Sequence, residues 1–390
     1  VVTSPRTAPS AATPDGDASQ AMVGVAGAGQ LARMTCLAAW PLGISVAVLG
    51  SPDEPSAGVC HRLIEGDWHN AEDVAALGAA SRVVTLENEF VDAPALVAVE
   101  DAGTPVRPRP GTVGVIQDKA DQKERLAGAG IPVPRFAVAA TEAEVEALGR
   151  DLGWPLMIKA RRLGYDGRGN ALAESMADIP DALARLDRGE GVLVEELVPF
   201  SAELAAMVAR SSKEELVYPV VETVQKDHVC HEVTTPVALA PGLEGEARRI
   251  ALASAQAAES IGVMGVEMFL LDDRVVVNEL APRPHNSGHY SIEACETSQF
   301  ENHLRGVLDL PLGPPDLRAG GAAMVNLLGS YSAPSNPRTE EALAVPGAHV
   351  HLYDKADVRP GRKMGHVTAL GENAETALAT ARRAAGLIQL

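Results

Sequence analysis

The chain has 390 residues, 46% of them hydrophobic, enough to bury two or three cores of ordinary globular kind. With 52 acidic residues against 33 Lys and Arg, its formal charge of -19 argues against a nucleic-acid binder, which must neutralise a phosphate backbone, but leaves room for a phosphorylated small molecule in a local basic pocket. Cys36, Cys60, Cys230 and Cys295 form no close pair, so neither a zinc site nor a disulfide framework is signalled and a reducing cytoplasm is expected; no apolar run is long enough to span a membrane.

In chain order, residues 1–20 are rich in Ser, Thr, Pro and Ala without an apolar leader segment, and read as a disordered, untargeted tail. A βαβ start follows: a strand at Met22–Ala26, a glycine turn, a helix to about Ala39, and the strand ISVAVLG. Gly27-x-Gly29-x-x-Ala32 fits a dinucleotide fingerprint, with Asp53 or Glu54 near the distance of a ribose ligand, but fits equally another phosphate at the helix N-terminus. A third strand, RVVTL, ends in Glu87-Asn88-Glu89, either a ligand-collecting edge of an open α/β sheet or a solvated loop. TPVRPRPG marks a boundary, and Ile116–Gly130 reads as one helix carrying Lys119 and Lys123. A capping box, Thr141-x-x-Glu144, opens the next helix, closed near Gly153. Then come the strand PLMIKA with Lys159, the glycine loop LGYDGRGN, a helix near 178–188 and the strand GVLVEEL, a small α+β unit. The loop suits phosphate wrapping or an exposed turn. Alternating stretches ELAAMVAR and ELVYPVVETV predict a larger antiparallel sheet, followed by the helix EARRIALASAQAAESIG.

GVEMFLLDDRVVVNELAPR reads as a hairpin turning near Asp273. Counting outward from that centre, Glu267 falls opposite Glu279, with Glu267, Phe269 and Leu271 on the same face as Val275, Val277 and Glu279, and Asn278 on the other. Two facing carboxylates repel unless a cation lies between them, and Mg²⁺ takes one or two carboxylates alongside phosphate oxygens. Arg283, His285 and Asn286, in the RPHNSGH run that follows, can together hold an oxyanion. Near the C-terminus, Lys355, Arg359, Arg362 and Lys363 stand within nine residues of an acidic chain, as an anion site or a surface charge run.

Four ordered motifs, GAGQLARM, GYDGRG, VNELAPRPHNSGHYS and YDKADVRPGRKMGH, resemble the N5-carboxyaminoimidazole ribonucleotide synthetase family from about Met22 onward. The resemblance implies an ATP-grasp fold, mixed α/β and α+β: a tail (1–20), an N-terminal βαβ pre-ATP-grasp domain (21–112), a linker helix and small lid (113–200), and a larger antiparallel-sheet central domain with a C-terminal substrate-binding segment (201–390). It implies ATP and Mg²⁺, with 5-aminoimidazole ribonucleotide and bicarbonate as substrates, in a cytoplasmic homodimer of purine biosynthesis.

Carried over by motif, Lys119 and Lys159 hold ATP phosphates and Gly164, Gly167, Arg168, Gly169 and Asn170 cover them. Glu195, Glu196, Leu197 and Val198 read adenine, Glu203 contacts the ribose, and Gln225 and Asn278 complete the nucleotide site. Glu267 and Glu279 are the metal carboxylates. Tyr165, Asp166, Arg283, His285 and Asn286 serve the reacting groups, while Gln30, Leu31, Glu87, Glu89, Lys355 and Arg362 meet the ribonucleotide substrate. Two departures stand out: Gln225 replaces a nucleotide-contacting histidine of many relatives, and Glu87-Asn88-Glu89-Phe90 permutes the family's acid-aromatic-acid order, so both Glu87 and Glu89 are candidates for the substrate ribose. The alternatives are an ATP-grasp glycinamide ribonucleotide formyltransferase using formate and, in a different class, a dinucleotide-dependent oxidoreductase built on GAGQLA.

Overall fold

Strands β1 (Val23–Ala26) and β2 (Val46–Gly50) are buried at every position, as strands covered on both faces must be. The computed structural model describes residues 20–164 and 169–390; the expected tail up to residue 19, and Tyr165, Asp166, Gly167 and Arg168, lie outside the described residues. Helix α1 (Gln30–Ala39) joins these strands, and β3 (Arg62–Glu65), α2 (Ala71–Ala79) and β4 (Val84–Leu86) complete a parallel sheet ordered β3-β2-β1-β4. RVVTL is thus the fourth strand. The third, RLIE, was not expected from the sequence because both its ends are exposed and polar, as befits an edge strand.

Helices α3 (Ala93–Asp101), α4 (Pro110–Gln117) and α5 (Lys119–Gly128) lead out of this unit. The single helix expected over 116–130 is therefore two. Asp118 breaks it by adopting an extended conformation (φ -107°, ψ 113°), its carboxylate accepting from the Ala120 N–H at 3.0 Å as the N-cap of α5. Lys119, the first residue of α5, reaches Glu279 of the hairpin.

The small unit comprises β5 (Phe136–Ala139), α6 (Glu142–Leu152), β6 (Leu156–Ala160), β7 (Asn170–Ala173), α7 (Ile179–Leu186) and β8 (Val192–Glu196), its sheet ordered β5-β8-β6-β7. The Thr141–Glu144 capping box opens α6 as expected. The glycine loop is the β6–β7 connection. Gly169 there has φ +119°, and a Cβ on it would lie 2.8 Å from the Gly164 Cα, so a side chain at this position is excluded twice over.

The rest builds on β9 (Ala202–Arg210), β10 (Glu215–Val217), β11 (Val221–Lys226), β12 (Val229–Thr235), α8 (Leu243–Ala257), β13 (Gly262–Leu270), β14 (Val275–Ala281), α9 (Ser291–Ala294) and α10 (Gln299–Val307). It ends with β15 (Gly321–Leu328), β16 (Ala333–Pro334), α11 (Glu340–Leu343), β17 (Ala348–Leu352), β18 (Asp357–Val358), β19 (Lys363–Gly371) and α12 (Ala374–Ala385). Among the described residues the large sheet runs β14-β13-β9-β11-β12-β15-β19-β17, so the C-terminal strands extend the same sheet that holds the hairpin. Ile250 and Ala251 of α8 pack with Met264, Val266, Met268 and Leu280 in one core, while α12 covers the C-terminal strands. His303 of α10 ties the N-terminal sheet to the hairpin strand: its Nδ1 accepts from the Val263 N–H at 3.0 Å and its Nε2 lies 2.8 Å from the Thr85 hydroxyl. No helix among the described residues is long and apolar enough to cross a membrane.

Candidate active site

The hairpin pairs Glu267 with Glu279, as counted, but by a different route. The Leu271 N–H donates to the Arg274 carbonyl at 2.9 Å, which centres the turn half a residue earlier than expected, so Met268 pairs with Val277 and Phe269 with Val276. A β-bulge at Asn278 then restores the Glu267–Glu279 pair. The bulge switches the face, because two residues of one strand oppose one of the other. Val275 and Val277 consequently lie in the α8 core rather than beside the carboxylates, and Asn278 faces the same cavity as Glu267 and Glu279 rather than the opposite side. Glu203 of β9 sits opposite Phe269, two residues along from Glu267 on the same face. Burial, with Glu279 and Glu203 adding to it, pushes the Glu267 carboxyl up to about 7. Burial acts on Glu279 too, but Lys119, hydrogen-bonded to it, prevails and holds its pKa below the usual value.

This donor set fits Mg²⁺. Among the described residues no cluster of three or more His, Cys, Asp or Glu forms a closed metal cage, whereas two facing oxygen ligands in an open cavity are what an ion shared with phosphate oxygens takes from a protein.

The cavity measures about 320 Å³ and lies between the small sheet and the hairpin. Of the candidates, Glu89, Lys159, Gly164, Asn170, Glu195, Glu196, Leu197, Val198, Glu203, Gln225, Glu267, Asn278, Glu279, Arg283, His285 and Asn286 line it. Lys159 Nζ lies 2.7 Å from one oxygen of Glu195 and 3.3 Å from Asn278 Oδ1, and Lys123 Nζ lies 3.0 Å from the other oxygen of Glu195. Within the segment expected to read adenine, the Glu195 carboxylate is thus engaged by lysines. Burial alone would raise its pKa, but Lys159 and Lys123 outweigh that and hold it at about 2. Burial lowers Lys123 to about 8. Lys123 has no role in the sequence motifs, since nothing local announces a partner 72 positions away. Glu196 accepts from the Arg135 N–H at 2.9 Å, fixing the end of β8.

Phe200 and Phe269 stack with ring centroids 4.6 Å apart and an interplanar angle of 8°, and with Met157 and Leu197 make an apolar slot beside Val198. The sequence motifs miss Phe200, Phe269 and Met157, because single apolar residues, one in a loop and two half-buried on strands, carry no motif. Gln225 hydrogen-bonds Glu203, and His228, also missed, lines the cavity next to them.

At the other end, Arg283 forms a two-pronged ion pair with Glu89, its Nη2 3.0 Å from Glu89 Oε1. That joins a candidate of the hairpin segment to one of the N-terminal sheet. His285 Nε2 lies 3.3 Å from Glu267 and its Nδ1 2.7 Å from the Ser287 hydroxyl; burial, with Arg283 next, pushes its pKa down to about 3. Asn286 and Asn326 exchange amide hydrogen bonds of 3.0 and 2.7 Å.

Gln30, Leu31, Glu87, Lys119, Gly169, Lys355 and Arg362 lie outside the cavity lining. Glu87 accepts from the N–H groups of Gly29 (2.6 Å) and Leu31 (3.1 Å). The N-terminus of α1, read as a phosphate or dinucleotide site, therefore carries the chain's own carboxylate, which answers its dipole and orphan donors. Lys355 Nζ donates to Gln30 Oε1 at 2.6 Å and to the carbonyl of Lys363, a cavity-lining residue, at 2.6 Å, so residues 325 positions apart meet at the cavity edge. Arg362 donates to the Asp357 carbonyl at 2.9 Å.

Residues 124–300 match the ATP-grasp domain, residues 20–117 the ribonucleotide synthetase preATP-grasp domain, and residues 322–380 the phosphoribosylaminoimidazole carboxylase C-terminal domain. Sheet order, cavity and matches define an ATP-grasp enzyme. The chain is 43% identical over 354 residues to N5-carboxyaminoimidazole ribonucleotide synthase of Synechococcus elongatus, covering 89% of this chain and 88% of that one, and it belongs to the N5-carboxyaminoimidazole ribonucleotide synthase family. It is 39% identical over 363 residues to phosphoribosylaminoimidazole carboxylase of Schizosaccharomyces pombe, covering 90% of this chain and 65% of that protein. The structure of N5-carboxyaminoimidazole synthase from Aspergillus clavatus in complex with ADP and 5-aminoimidazole ribonucleotide superposes with a TM-score of 0.86 at 37% identity, covering 95% of this chain and 98% of that chain.

Proposed function

We propose that this chain carboxylates 5-aminoimidazole ribonucleotide with bicarbonate at the expense of ATP, giving N5-carboxyaminoimidazole ribonucleotide, ADP and phosphate in de novo purine biosynthesis. The observation that carries the reading is the convergence, in one cavity, of a lysine of the small sheet (Lys159), the facing carboxylates Glu267 and Glu279, and the Arg283–His285 segment docked on Glu89. Adenine would pack against the apolar wall that Met157, Leu197 and the stacked Phe200–Phe269 pair give the cavity, and Glu203 would take the ribose, with Gln225 holding Glu203. Lys119 and Lys159 take the phosphates under the 164–170 loop.

Glu267 and Glu279 would hold Mg²⁺ with Asn278 beside them, and the ion would offset charge on the transferring phosphoryl group. A bicarbonate oxygen attacks the γ-phosphorus of ATP and the bond to the β-phosphate oxygen breaks, leaving ADP and carboxyphosphate. Arg283 and His285 hold that labile anhydride by charge and hydrogen bonding. The acceptor amine then forms the C–N bond as inorganic phosphate leaves with the amine proton. Tyr165 and Asp166 serve this end of the reaction. Lys355, Arg362 and Gln30 receive the acceptor's ribose phosphate, with Leu31 lining the acceptor beside Gln30, Glu89 facing the cavity and Glu87 bracing α1.

Residues 21–112, 113–200 and 201–390 are proposed as acceptor-binding, lid and central units of a cytoplasmic homodimer, an assembly that light scattering tests. The experiment for the activity is ADP release with aminoimidazole ribonucleotide omitted, bicarbonate withheld, or formate supplied in its place. Full turnover without bicarbonate sinks the reading, and turnover driven by formate and glycinamide ribonucleotide replaces it with the formyltransferase. The oxidoreductase loses its anchor, because Glu87 occupies the donors a dinucleotide pyrophosphate would need.

A further inference from the structure

His285 must be held against Glu267 by a segment whose regular structure is one short turn, Asn286–Gly288. What holds it is Gln299, the first residue of α10, entirely buried and part of none of the sequence motifs. Gln299 Oε1 accepts from the His285 N–H at 2.9 Å, and Gln299 Nε2 donates to the His285 carbonyl at 2.8 Å and lies 3.0 Å from His289 Nδ1. One primary amide thus meets both backbone groups of His285, the pairing a neighbouring strand would give. Ser291 closes the arrangement: its hydroxyl accepts from the Gln299 N–H at 2.9 Å and donates to the Gly288 carbonyl at 2.6 Å. A Cβ at Gly288 would fall 2.5 Å from Gln299 Oε1, so the segment wraps this amide too closely for a side chain there. With the Gly288 N–H also donating to the His285 carbonyl at 3.0 Å, Gln299 alone meets the His285 N–H and shares its carbonyl, and the imidazole is aimed from that fixed point.

We propose that Gln299 is a positioning residue for the carboxylation, acting through His285; this rests on the role given to His285 above. The experiment is a double-mutant cycle of Gln299→Glu and His285→Ala, reading kcat, the KM values for ATP and acceptor, and ADP affinity by calorimetry. Gln299→Glu keeps the volume and the acceptor for the His285 N–H but sets a carboxylate oxygen against the His285 carbonyl. It should lower kcat about 10- to 100-fold, the cost of a small misplacement at a reacting centre. ADP affinity should stay within about twofold, and adding Gln299→Glu to His285→Ala should cost nothing further. Losses that multiply in the double variant, or a Gln299→Glu enzyme whose defect is confined to ADP binding, overturn the proposal and leave the role of His285 standing. Wild-type kcat in His285→Ala overturns that role and the proposal with it. Should Gln299→Glu not yield folded protein, Gln299→Asn, one methylene short of the His285 backbone, takes its place in the cycle, and wild-type kcat there is equally fatal.

Discussion

Glu195 and Glu267 line one cavity and meet opposite electrostatic fates. For both, burial favours the neutral acid. At Glu195, Lys159 and Lys123 outweigh it and the carboxyl sits at about 2, whereas at Glu267 the neighbouring Glu279 and Glu203 add to it and the carboxyl rises to about 7. Folding supplies enough counter-charge for one and not for the other, where Lys119 and Lys363 only partly offset burial and the neighbouring acids. A buried carboxylate with its cations built in fixes geometry, here the aim of Lys159. One surrounded by its own kind is costly in the bare protein and is repaid only when a cation arrives. The two acids thus separate what the fold needs from what the reaction needs, which burial alone does not.

The largest expected effect is on the first of them. Glu195→Gln leaves two lysines in the wall without their carboxylate, and removing one side of a buried ion pair costs about 3–5 kcal/mol. Urea denaturation reads this directly. The wild-type carboxyl has its folded pKa below its ordinary value of 4.5, so its contribution is present above that pH and lost as pH falls toward 2. Glu195→Gln should flatten that part of the acid profile; an unchanged midpoint and profile would dissolve the comparison.

Glu267→Gln should do the reverse. The metal-free protein keeps or gains stability, because a neutral side chain relieves the repulsion from Glu279 and Glu203, while Mg²⁺-dependent ADP release falls about 10²- to 10³-fold, as when a group aimed at transferring charge is lost. Loss of stability with retained turnover would reverse the roles of the two acids. Arg362→Ala extends the contrast to the acceptor end. Losing one charge-assisted phosphate contact costs roughly 1.5–3 kcal/mol, so the acceptor's KM rises about ten- to a hundredfold while that of ATP holds. Arg362→Lys recovers part of it, since an ammonium keeps the charge without the fork. A defect confined to ATP would remove Arg362 from the acceptor site.

The sequence was informative where chemistry is local. The Thr141 capping box, the pairing of the strands that flank the glycine loop and the facing of Glu267 and Glu279 are set by residues within about a dozen positions, and the structure has them. It was silent where no local pattern announces the partner: Lys123 with Glu195, Gln299 with His285, Glu87 with the N-terminus of α1, Asn286 with Asn326. It misled where one residue changes parity or direction. Asp118 reads as an ordinary helix residue until its own side chain caps a new helix, and Asn278 reads as facing away until the strand bulges at it.

Asn278 gives the smallest effect and the sharpest use of the comparison, because it stands between the two acids. Its Oδ1 accepts from Lys159 Nζ at 3.3 Å, a long contact, while its neighbour Glu279 pairs with Glu267. Hydrogen bonds to charged groups contribute about 1.5–3 kcal/mol and long ones less, so Asn278→Ala should raise the KM for ATP roughly five- to tenfold with kcat nearly unchanged. An unaltered KM would mean the bulge does not bring Asn278 to the nucleotide. Asn278→Asp asks the same question in charge. A further carboxylate beside Glu203, Glu267 and Glu279 adds repulsion in the metal-free protein beyond what Lys159, already paired with Glu195, offsets, so its melting temperature should fall below wild type. Mg²⁺ should then raise that temperature by more than it does in wild type, since added ligand charge strengthens binding to the folded state alone. Were Asn278→Asp to melt like wild type with and without Mg²⁺, Asn278 would belong with Glu195 in the prearranged wall rather than with the carboxylates that await a cation.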